Sequence, residues 1–437
     1  MPKTISYVQP SLEDGQAATA KAPRFTLGWF SALNASERHT WLASFGGLAL
    51  DAMDSQAYAL AIPSLLIALH LSTAQAGTFA TAALVGSGIG GWLFGLMADR
   101  YGRIRMLQWA IVVVALSTFA SAFATQFWHL LLARSVQGIG YGGEAAVGAV
   151  LISEVIRPGL RGRVTASVQS GYAVGYAIAV GFMALVFHLV KEDLAWRVLF
   201  ALGILPIFFL IYLRRYVPES PLYVQTASKP KGSRSRADFS EIFRPPLAGR
   251  TAVATLLATA IFGAAYVQII WLPTYLRTVL HLNVTTTAGY LFLNIAGSFV
   301  GPLVLGPVSD RIGRRWSLIL FLVCQTVAIG VYTMAPITHG AAFFLGFVVG
   351  VLQGGLGSSM LPAFAEIFPT HARGHGQGFC LCVGRGFGSL VPTAVGVLAK
   401  TFPLGKTMGA CAIAAYLLAM VATMFFPETV GKNLQES

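Results

Sequence analysis

Gly95-Leu-Met-Ala-Asp99-Arg100-Tyr-Gly102-Arg103 stands between two long apolar runs, and Gly306-Pro-Val-Ser-Asp310-Arg311-Ile-Gly313-Arg314-Arg315 stands between two others, 211 residues further on. Both stretches set an acid and several basic residues among glycines, which permit tight turns and close approach of the backbone. The residue types follow in the same order. This repetition indicates that the chain contains two related halves.

Two more patterns recur at nearly the same offset. An acid precedes an Arg-Gly pair by seven residues in each half, and a Pro-Glu-Ser or Pro-Glu-Thr tripeptide closes the apolar part of each half. These are Glu154 with Arg161, Glu366 with Arg373, and the tripeptides that begin at Pro218 and Pro427. Patterns repeated at offsets of 209 to 212 residues predict duplicated six-helix bundles.

The composition is typical of an integral membrane protein. Of the 437 residues, 55% are hydrophobic and 11% are charged, whereas soluble domains carry about 25% charged residues. A spanning helix needs about 20 mostly apolar residues, and continuous apolar runs exclude a β-barrel. We predict an all-α membrane protein with twelve transmembrane helices, at 40–67, 76–98, 104–124, 128–156, 164–190, 196–214, 250–276, 286–309, 316–336, 340–367, 375–399 and 405–426.

Positive charge falls on one side of these spans. Of the 30 Lys and Arg residues, five lie in presumed outer loops and two inside spans, which leaves 23 for the tails and the inner loops. Cytoplasmic loops carry such an excess of Lys and Arg. The net charge of +13 therefore indicates topology rather than nucleic-acid binding. We expect a bacterial inner membrane protein with both termini in the cytoplasm.

The polar segments set the expected domain boundaries. Residues 1–39 are polar and begin no apolar signal region, so we expect no cleavable signal there and expect these residues to form a cytoplasmic tail. One bundle is expected at 40–214, a cytoplasmic linker at 215–249, a second bundle at 250–426 and a second tail at 427–437. The basic linker is expected to be a solvated loop, with contact to anionic lipid as the alternative.

With these motifs, the sequence resembles the major facilitator superfamily over residues 40–430. The doubled G-x-x-x-D-R-x-G-R loop carries the resemblance, which implies two six-helix bundles around a central cavity that opens alternately to each side. The segment from Arg134 to Glu144 and the sequence Pro218-Glu-Ser-Pro221 resemble the metabolite, sialate and aromatic-acid proton symporters. The Asp51-Ala-Met-Asp54 pair is similar to the aromatic-acid and sialate branches.

The charged residues at the inner ends of the spans predict a gate. Asp99 can accept hydrogen bonds from Arg side chains and from N–H groups at a helix start. Simple topology-setting charge would explain the Arg residues but not the acids at repeated spacing. We expect an inner latch formed by Asp99, Arg100, Arg103, Glu154 and Arg161, and a twin formed by Asp310, Arg311, Arg314, Glu366 and Arg373.

Five ionisable residues fall inside predicted spans: Asp51, Asp54, Arg134, Glu144 and Arg385. Each costs about 2.5–3.5 kcal/mol to insert, so a role in transport is the default and an internal ion pair is the alternative. Asp51, Asp54 and Tyr58 share one helix face. Two carboxylates so close in a low-dielectric site cannot both be ionised cheaply. We therefore expect proton coupling through these acids, with Asp54 favoured and Glu144 the rival. Asp51 could instead accept a hydrogen bond from Arg134 or from a nearby backbone N–H.

The fourth and eleventh spans predict the substrate contacts. Arg134, Gln137, Tyr141 and Glu144 share one face of a helix. Arg385 lies about midway along the eleventh span with no acid in its own helix, which suits bidentate binding of a carboxylate; pairing with Asp54 or Glu144 is the alternative. Further polar or aromatic side chains either line the cavity or form packing hydrogen bonds: Gln169, Tyr172, Tyr176, Gln268, Trp271, Tyr275, Asn294 and Gln353.

Other classes of function lack support. Cys380 and Cys382 would point about 200° apart on a helix, so we expect no metal site. The glycine run from Gly138 to Gly143 lies inside a span without the Lys-Ser or Lys-Thr of a phosphate loop, so we expect no nucleotide or other cofactor. The His residues lie near the ends of predicted spans, which argues against a membrane-embedded enzyme.

We predict a monomeric, proton-coupled symporter in membrane lipid that carries a small organic anion, either a monocarboxylate or an aromatic acid. Its partners would be that acid and protons, not nucleic acid. A drug-efflux antiporter of the same fold is one alternative, but the fifth span lacks the proline of the Gly-Pro signature in such families. A sugar or polyol symporter is the other, and Arg385 argues against a neutral substrate.

Overall fold

The computed structural model describes residues 28–217, 219, 223, 239–335, 338–369 and 372–428. Regular structure in this part of the chain is helical, with twelve long helices. They are α1 Ala35–Ala68, α2 Thr73–Tyr101, α3 Arg103–Ser121, α4 Phe127–Val155, α5 Pro158–Leu189, α6 Glu192–Tyr216, α7 Leu247–Thr278, α8 Val284–Ile312, α9 Arg314–Met334, α10 His339–Glu366, α11 Arg373–Gly388 continued by Leu390–Leu398, and α12 Leu404–Met424. The predicted fold class and the number of spans are confirmed.

Several helices extend beyond the predicted spans because polar residues cap their ends. Asn34 accepts from the backbone N–H of Glu37, while the Glu37 side chain accepts from the backbone N–H of Asn34. Ser72 and Gln75 form the same reciprocal box at the start of α2. These contacts satisfy N–H groups that a helix start leaves unpaired, and they lengthen α1 and α2 into the predicted loops.

Ten of the described helices are long and apolar enough to cross a bilayer by themselves. The two long helices outside this group are α1 and α4. They carry Asp51 and Asp54, and Arg134 and Glu144, respectively, and all four side chains are buried. Polar groups in lipid face a protein interior or a wet cavity, so these two helices carry the candidate site residues of the first half.

The helices form two bundles with matching internal contacts. In the first, α1 packs on α5 and α2 on α4; in the second, α7 packs on α11 and α8 on α10. Glycines allow the backbones to approach: a Cβ at Gly90 would strike the carbonyl oxygen of Ile139, and one at Gly301 that of Val351. Small residues at such spacing pack membrane helices closely. Contacts of α2 with α11 and of α5 with α8 join the bundles.

The predicted tails and linker fall mostly outside the described residues, so their boundaries stay predictions. We call the end of the bundles that carries the Gly102 and Gly313 loops the motif end, and the opposite end the far end. Helices α1 and α7 begin at the motif end, so α2 and α8 return to it. The far end holds the α1–α2 connection at residues 69–72 and its counterpart at residues 279–283.

Candidate functional site

One face of α4 lies against α1, as the spacing of its polar residues predicts. Arg134 places its guanidinium over the ring of Tyr58, 4.7 Å from the ring centre. One turn further on, Gln137 Nε2 donates to Asp54 Oδ2 at 3.0 Å. Two more turns along, Glu144 faces Asp51. The buried polar residues of α1 and α4 therefore form one continuous layer inside the first bundle.

The carboxyl group of Asp54 accepts hydrogen bonds from side chains on two neighbouring helices. Thr118 Oγ1 on α3 donates to Asp54 Oδ2 at 2.5 Å, in addition to the amide of Gln137. Arg134 is the nearby positive charge. In the described structure, however, its guanidinium forms no ion pair with Asp54 within 4.0 Å. Hydrogen bonds to a carboxylate and a nearby cation both favour its charged form. Both donors bond Oδ2, however, and Oδ1 is buried without a partner among the described residues, so this carboxyl group is only partly satisfied.

Asp51 and Glu144 form a different pair. Both carboxyl groups are buried and face each other across the α1–α4 contact. Among the described residues, no group donates a hydrogen bond to either oxygen of Asp51 or to Glu144 Oε1. Gly47 permits the approach, because a Cβ there would strike Glu144 Oε1. Only a proton held between the two carboxyls would give them a hydrogen bond to each other. The predicted contact of Asp51 with Arg134 does not form.

Arg385 stands in an aromatic setting. Its guanidinium lies 5.4 Å from the ring centre of Phe262 on α7, and the phenols of Tyr266, Tyr141 and Tyr172 are nearby. Its Nε is buried without a hydrogen-bond partner among the described residues, and no carboxylate lies within 4.0 Å of it there. The predicted alternative of pairing with Asp54 or Glu144 is therefore not observed.

The aromatic residues of the second bundle at this point were missed by the sequence analysis. Phe262 and Tyr266 stack nearly in parallel, with ring centres 5.9 Å apart and an angle of 15° between the planes. Their spacing of one helical turn is a signal that could have found them. They lie in an apolar span that carries many aromatic residues, so the spacing alone did not single them out.

Tyr141 connects the two groups. Tyr141 lies on α4, close enough to Arg385 and to both acids of the Asp51–Glu144 pair to interact with their charges. Tyr172 on α5 is close to Tyr141, and its hydroxyl accepts from Gln56 Nε2 at 2.6 Å. A cation of the second bundle and two acids of the first therefore meet through phenol groups at the bundle interface.

Most other predicted cavity residues use their polar atoms inside a bundle. The donors and acceptors are Tyr58 OH to Ala76 O (2.5 Å), Gln268 Nε2 to Tyr416 OH (2.6 Å), Trp271 Nε1 to Pro392 O (3.0 Å), Tyr275 OH to Tyr332 O (3.2 Å) and Asn294 Nδ2 to Gly346 O (2.9 Å). These bonds favour the packing alternative over substrate contact for the five residues. Tyr176 is buried, Gln353 is half-buried and Gln169 is exposed.

The predicted latch forms ion pairs within each bundle. Arg103 Nη2 lies 2.9 Å from Asp99 Oδ1 and 3.1 Å from Glu154 Oε1, and Arg314 Nη2 lies 3.2 Å from Glu366 Oε1. Arg100 packs over the ring of Tyr101, and Arg311 is exposed. The side chains of Arg161, Asp310 and Arg373 lie outside the described part of the structure.

Two glutamates complete these clusters and were not assigned a role from the sequence. Gly102 and Gly313 precede α3 and α9 with φ of +102° and +99°, and glycine offers no side chain to cap a helix. The cap comes from a residue that follows the end of another helix: Glu219 Oε1 accepts from the backbone N–H of Arg103 at 2.9 Å, and Glu428 Oε1 accepts from that of Arg314 at 2.9 Å. A carboxylate at a helix start is stabilising. The repeated Pro-Glu tripeptides carried this signal.

No group of His, Cys, Asp and Glu in the described residues could hold a metal ion. Cys380 is buried, whereas Cys382 is exposed beside Arg385. Among the described residues, the arrangement offers two cations without an ion pair, Arg134 and Arg385, each beside an aromatic ring, together with a pair of buried acids. It can bind an anion and can hold or release a proton.

Comparisons with known proteins agree with this geometry. The sequence profile of the Major Facilitator Superfamily matches residues 44–392 and 291–436. A probable 4-methylmuconolactone transporter of Cupriavidus pinatubonensis is 36% identical over 406 residues, 92% of this chain and 93% of that protein. The sialic acid transporter NanX of Escherichia coli is 26% identical over 404 residues, 91% and 96% of the two chains. The inward-open xylose transporter XylE of E. coli shares the fold, with a TM-score of 0.74, 20% identity and coverage of 93% and 98%.

Proposed function

Because the chain belongs to the major facilitator superfamily, a family of multi-pass membrane transporters rather than enzymes, we propose that it is a proton-coupled symporter of a small organic acid. The observation that carries the proposal is Arg385, a half-buried cation whose Nε is buried and which has no carboxylate partner among the described residues. An unpaired charge at this depth is costly. A substrate carboxylate would supply the missing anion through two charge-assisted hydrogen bonds.

The aromatic surroundings favour a monocarboxylate with a flat or unsaturated body. Phe262 and Tyr266 offer parallel rings beside the guanidinium, and aromatic faces pack well against flat groups. The relative from C. pinatubonensis is named for 4-methylmuconolactone, which supports a small organic acid as the class of substrate. The likeness to a xylose transporter is one of fold only, and the contacts of Arg385 give no reason to prefer a neutral sugar.

Proton coupling is assigned to the pair Asp51 and Glu144. One proton between these facing carboxyls would give them a hydrogen bond, whereas Asp54 already receives two from Thr118 and Gln137. This moves the proton site away from Asp54, which the sequence favoured. Asp54 is assigned instead a structural role, since its carboxyl group holds Thr118 and Gln137.

Coupling follows from the position of Tyr141. Substrate on Arg385 neutralises the cation that faces Tyr141. The phenol then turns its hydrogen bond toward either the substrate or the acid pair. A proton on the pair lets the bundles close without burying a second negative charge beside the substrate. Release of the proton and the substrate on the other side resets the site.

The remaining features fit the same cycle. The motif end, rich in Arg, is assigned to the cytoplasm by the positive-inside rule, in an inner membrane, with the chain acting as a monomer surrounded by lipid. The ion pairs of Arg103 and Arg314 fix helix ends within each bundle. We assign them, with Asp99 and Asp310, to the inner gate.

The proposal is tested by uptake into proteoliposomes under an imposed pH gradient, across a panel of monocarboxylic acids, their primary amides and neutral sugars. We expect uphill uptake of acids when the outside is more acidic, and collapse of the uptake with a protonophore. Uptake of a sugar or an amide in preference to the acids would contradict the assignment of the substrate. Uptake of acids at a rate independent of the pH gradient would contradict proton coupling but not the assignment of the substrate.

A further inference from the structure

The far end carries an ion pair that joins the two bundles. Arg277 lies in the last turn of α7, in the second bundle, and its Nη2 donates to Glu192 Oε1 in the first turn of α6, in the first bundle. The guanidinium also lies 5.3 Å from the ring centre of Phe187 on α5. The Arg277 side chain is 14% exposed. The side-chain contacts that the described structure gives Arg277 are therefore with the opposite bundle.

Glu192 is well placed to hold this cation. It lies in the first turn of α6 beside Asp193, and a helix start favours negative charge. Arg277 lies in the last turn of α7, where the helix dipole favours a positive charge. Both helix ends therefore stabilise the charge that they carry.

A second contact closes the same end on the other side of the bundle interface. Thr73 Oγ1 on α2 donates to the carbonyl oxygen of Gly396 on α11 at 2.6 Å. Two turns deeper, Thr81 Oγ1 and Thr393 Oγ1 lie 2.6 Å apart. Gly77 sits between them, and a Cβ there would lie 2.8 Å from the carbonyl oxygen of Pro392. This α2–α11 seam is tight at backbone level, so any opening of the far end must separate it.

We propose that Arg277, Glu192 and Phe187 form a far-end clamp that stabilises the conformation closed at this end. Opening the far end moves α7 away from α5 and α6, and the clamp is then lost because its two charges belong to different bundles. The clamp thus sets the balance between the two access states for any substrate. The inference does not depend on the proposed substrate or on proton coupling.

The other charged groups near this end do not duplicate the clamp. Arg197, also on α6, donates to the carbonyl oxygen of Ala122 and packs over Trp196, so it stays within the first bundle. Lys191 directly precedes Glu192 and is exposed. Lys191 therefore provides a matched control. It is a basic residue next to Glu192 in the sequence, and its replacement leaves the contact between the bundles in place.

The test uses alkylation of Cys382, which is exposed beside Arg385, by a charged thiol reagent added from each side of sealed vesicles. The background chain carries Ala at Cys324, Cys380 and Cys411. Removing the clamp by Arg277→Gln or Glu192→Gln should lower labelling from the motif-end side and raise it from the far side by about two- to fivefold, the range expected for a partly exposed ion pair. Lys191→Gln should leave both rates unchanged.

A charge swap separates the clamp from a general defect. The double variant Arg277→Glu with Glu192→Arg should recover most of the labelling pattern and most of the substrate exchange rate that Arg277→Glu alone loses. Unchanged labelling and exchange in both single variants would overturn the proposal. So would a swap no better than the single Arg277→Glu, since the two charges would then not act on each other.

Discussion

Replacement of Arg385 by Gln removes the unpaired cation from the aromatic site. In the intact protein, a carboxylate can accept two charge-assisted hydrogen bonds, each contributing about 1.5–3 kcal/mol. Gln keeps one neutral donor, so we expect a loss of about 3 kcal/mol, which corresponds to roughly 100-fold weaker binding of the acid. The primary amide of the same acid loses one neutral hydrogen bond, about 1 kcal/mol, or roughly fivefold.

The measurement is equilibrium binding of the best-transported acid and of its amide to purified protein in detergent. Arg385→Lys provides the matched control, because it keeps the charge but not the planar fork, and it should bind the acid with an intermediate loss. Unfolding is monitored by circular dichroism, since the buried site could also affect stability. Equal losses for the acid and the amide would mean that Arg385 serves packing against Phe262 only.

Three further predictions follow from the acids and the topology. Glu144→Gln should abolish uphill uptake but retain counterflow exchange. Asp54→Asn should weaken folding or substrate binding without uncoupling substrate transport from protons. The reverse result would return the proton site to Asp54. Asp99→Asn removes one of the two carboxylates that hold Arg103 and should lower the fraction closed at the motif end, so unchanged cysteine accessibility from that side would refute its gating role. A reporter fused after Ser437 should be cytoplasmic, and activity of an extracytoplasmic reporter would reject the topology.

The fold could be predicted because its signals are local and repeated. Apolar runs of span length, the doubled charged loop and the Lys and Arg asymmetry are each visible without tertiary information. The exact helix ends were harder to predict, since they depend on capping contacts such as that of Asn34 with Glu37. A hydropathy pattern reports the hydrocarbon region and not the capped turns beyond it.

The layer of buried polar residues could be predicted in part. The face shared by Arg134, Gln137 and Glu144 was correct because helical spacing determines it. The residue that each acid contacts could not be predicted from the sequence, because it depends on the rotation of α1 relative to α4. Asp51 and Asp54 lie one turn apart, yet one faces Glu144 and the other faces Thr118 and Gln137.

Substrate contacts were the least predictable part of the site. A buried Gln or Asn in a span bonds a neighbouring helix as readily as a ligand. Gln268 illustrates this, because its amide is used by Tyr416 on α12, far away in sequence. Phe262 and Tyr266 were missed for the opposite reason, since their one-turn spacing does not stand out in a span rich in aromatic residues until Arg385 is placed beside it.

The most direct test of the central claim is the movement of protons driven by substrate alone. Proteoliposomes containing a trapped pH-sensitive dye, with equal pH on both sides and a valinomycin clamp of the membrane potential, receive an inward gradient of the transported acid, supplied as its fully ionised salt. We predict acidification of the lumen that depends on the protein and is lost in Glu144→Gln, while that variant still exchanges labelled substrate. Substrate entry by the intact protein without any protein-dependent acidification would contradict proton symport.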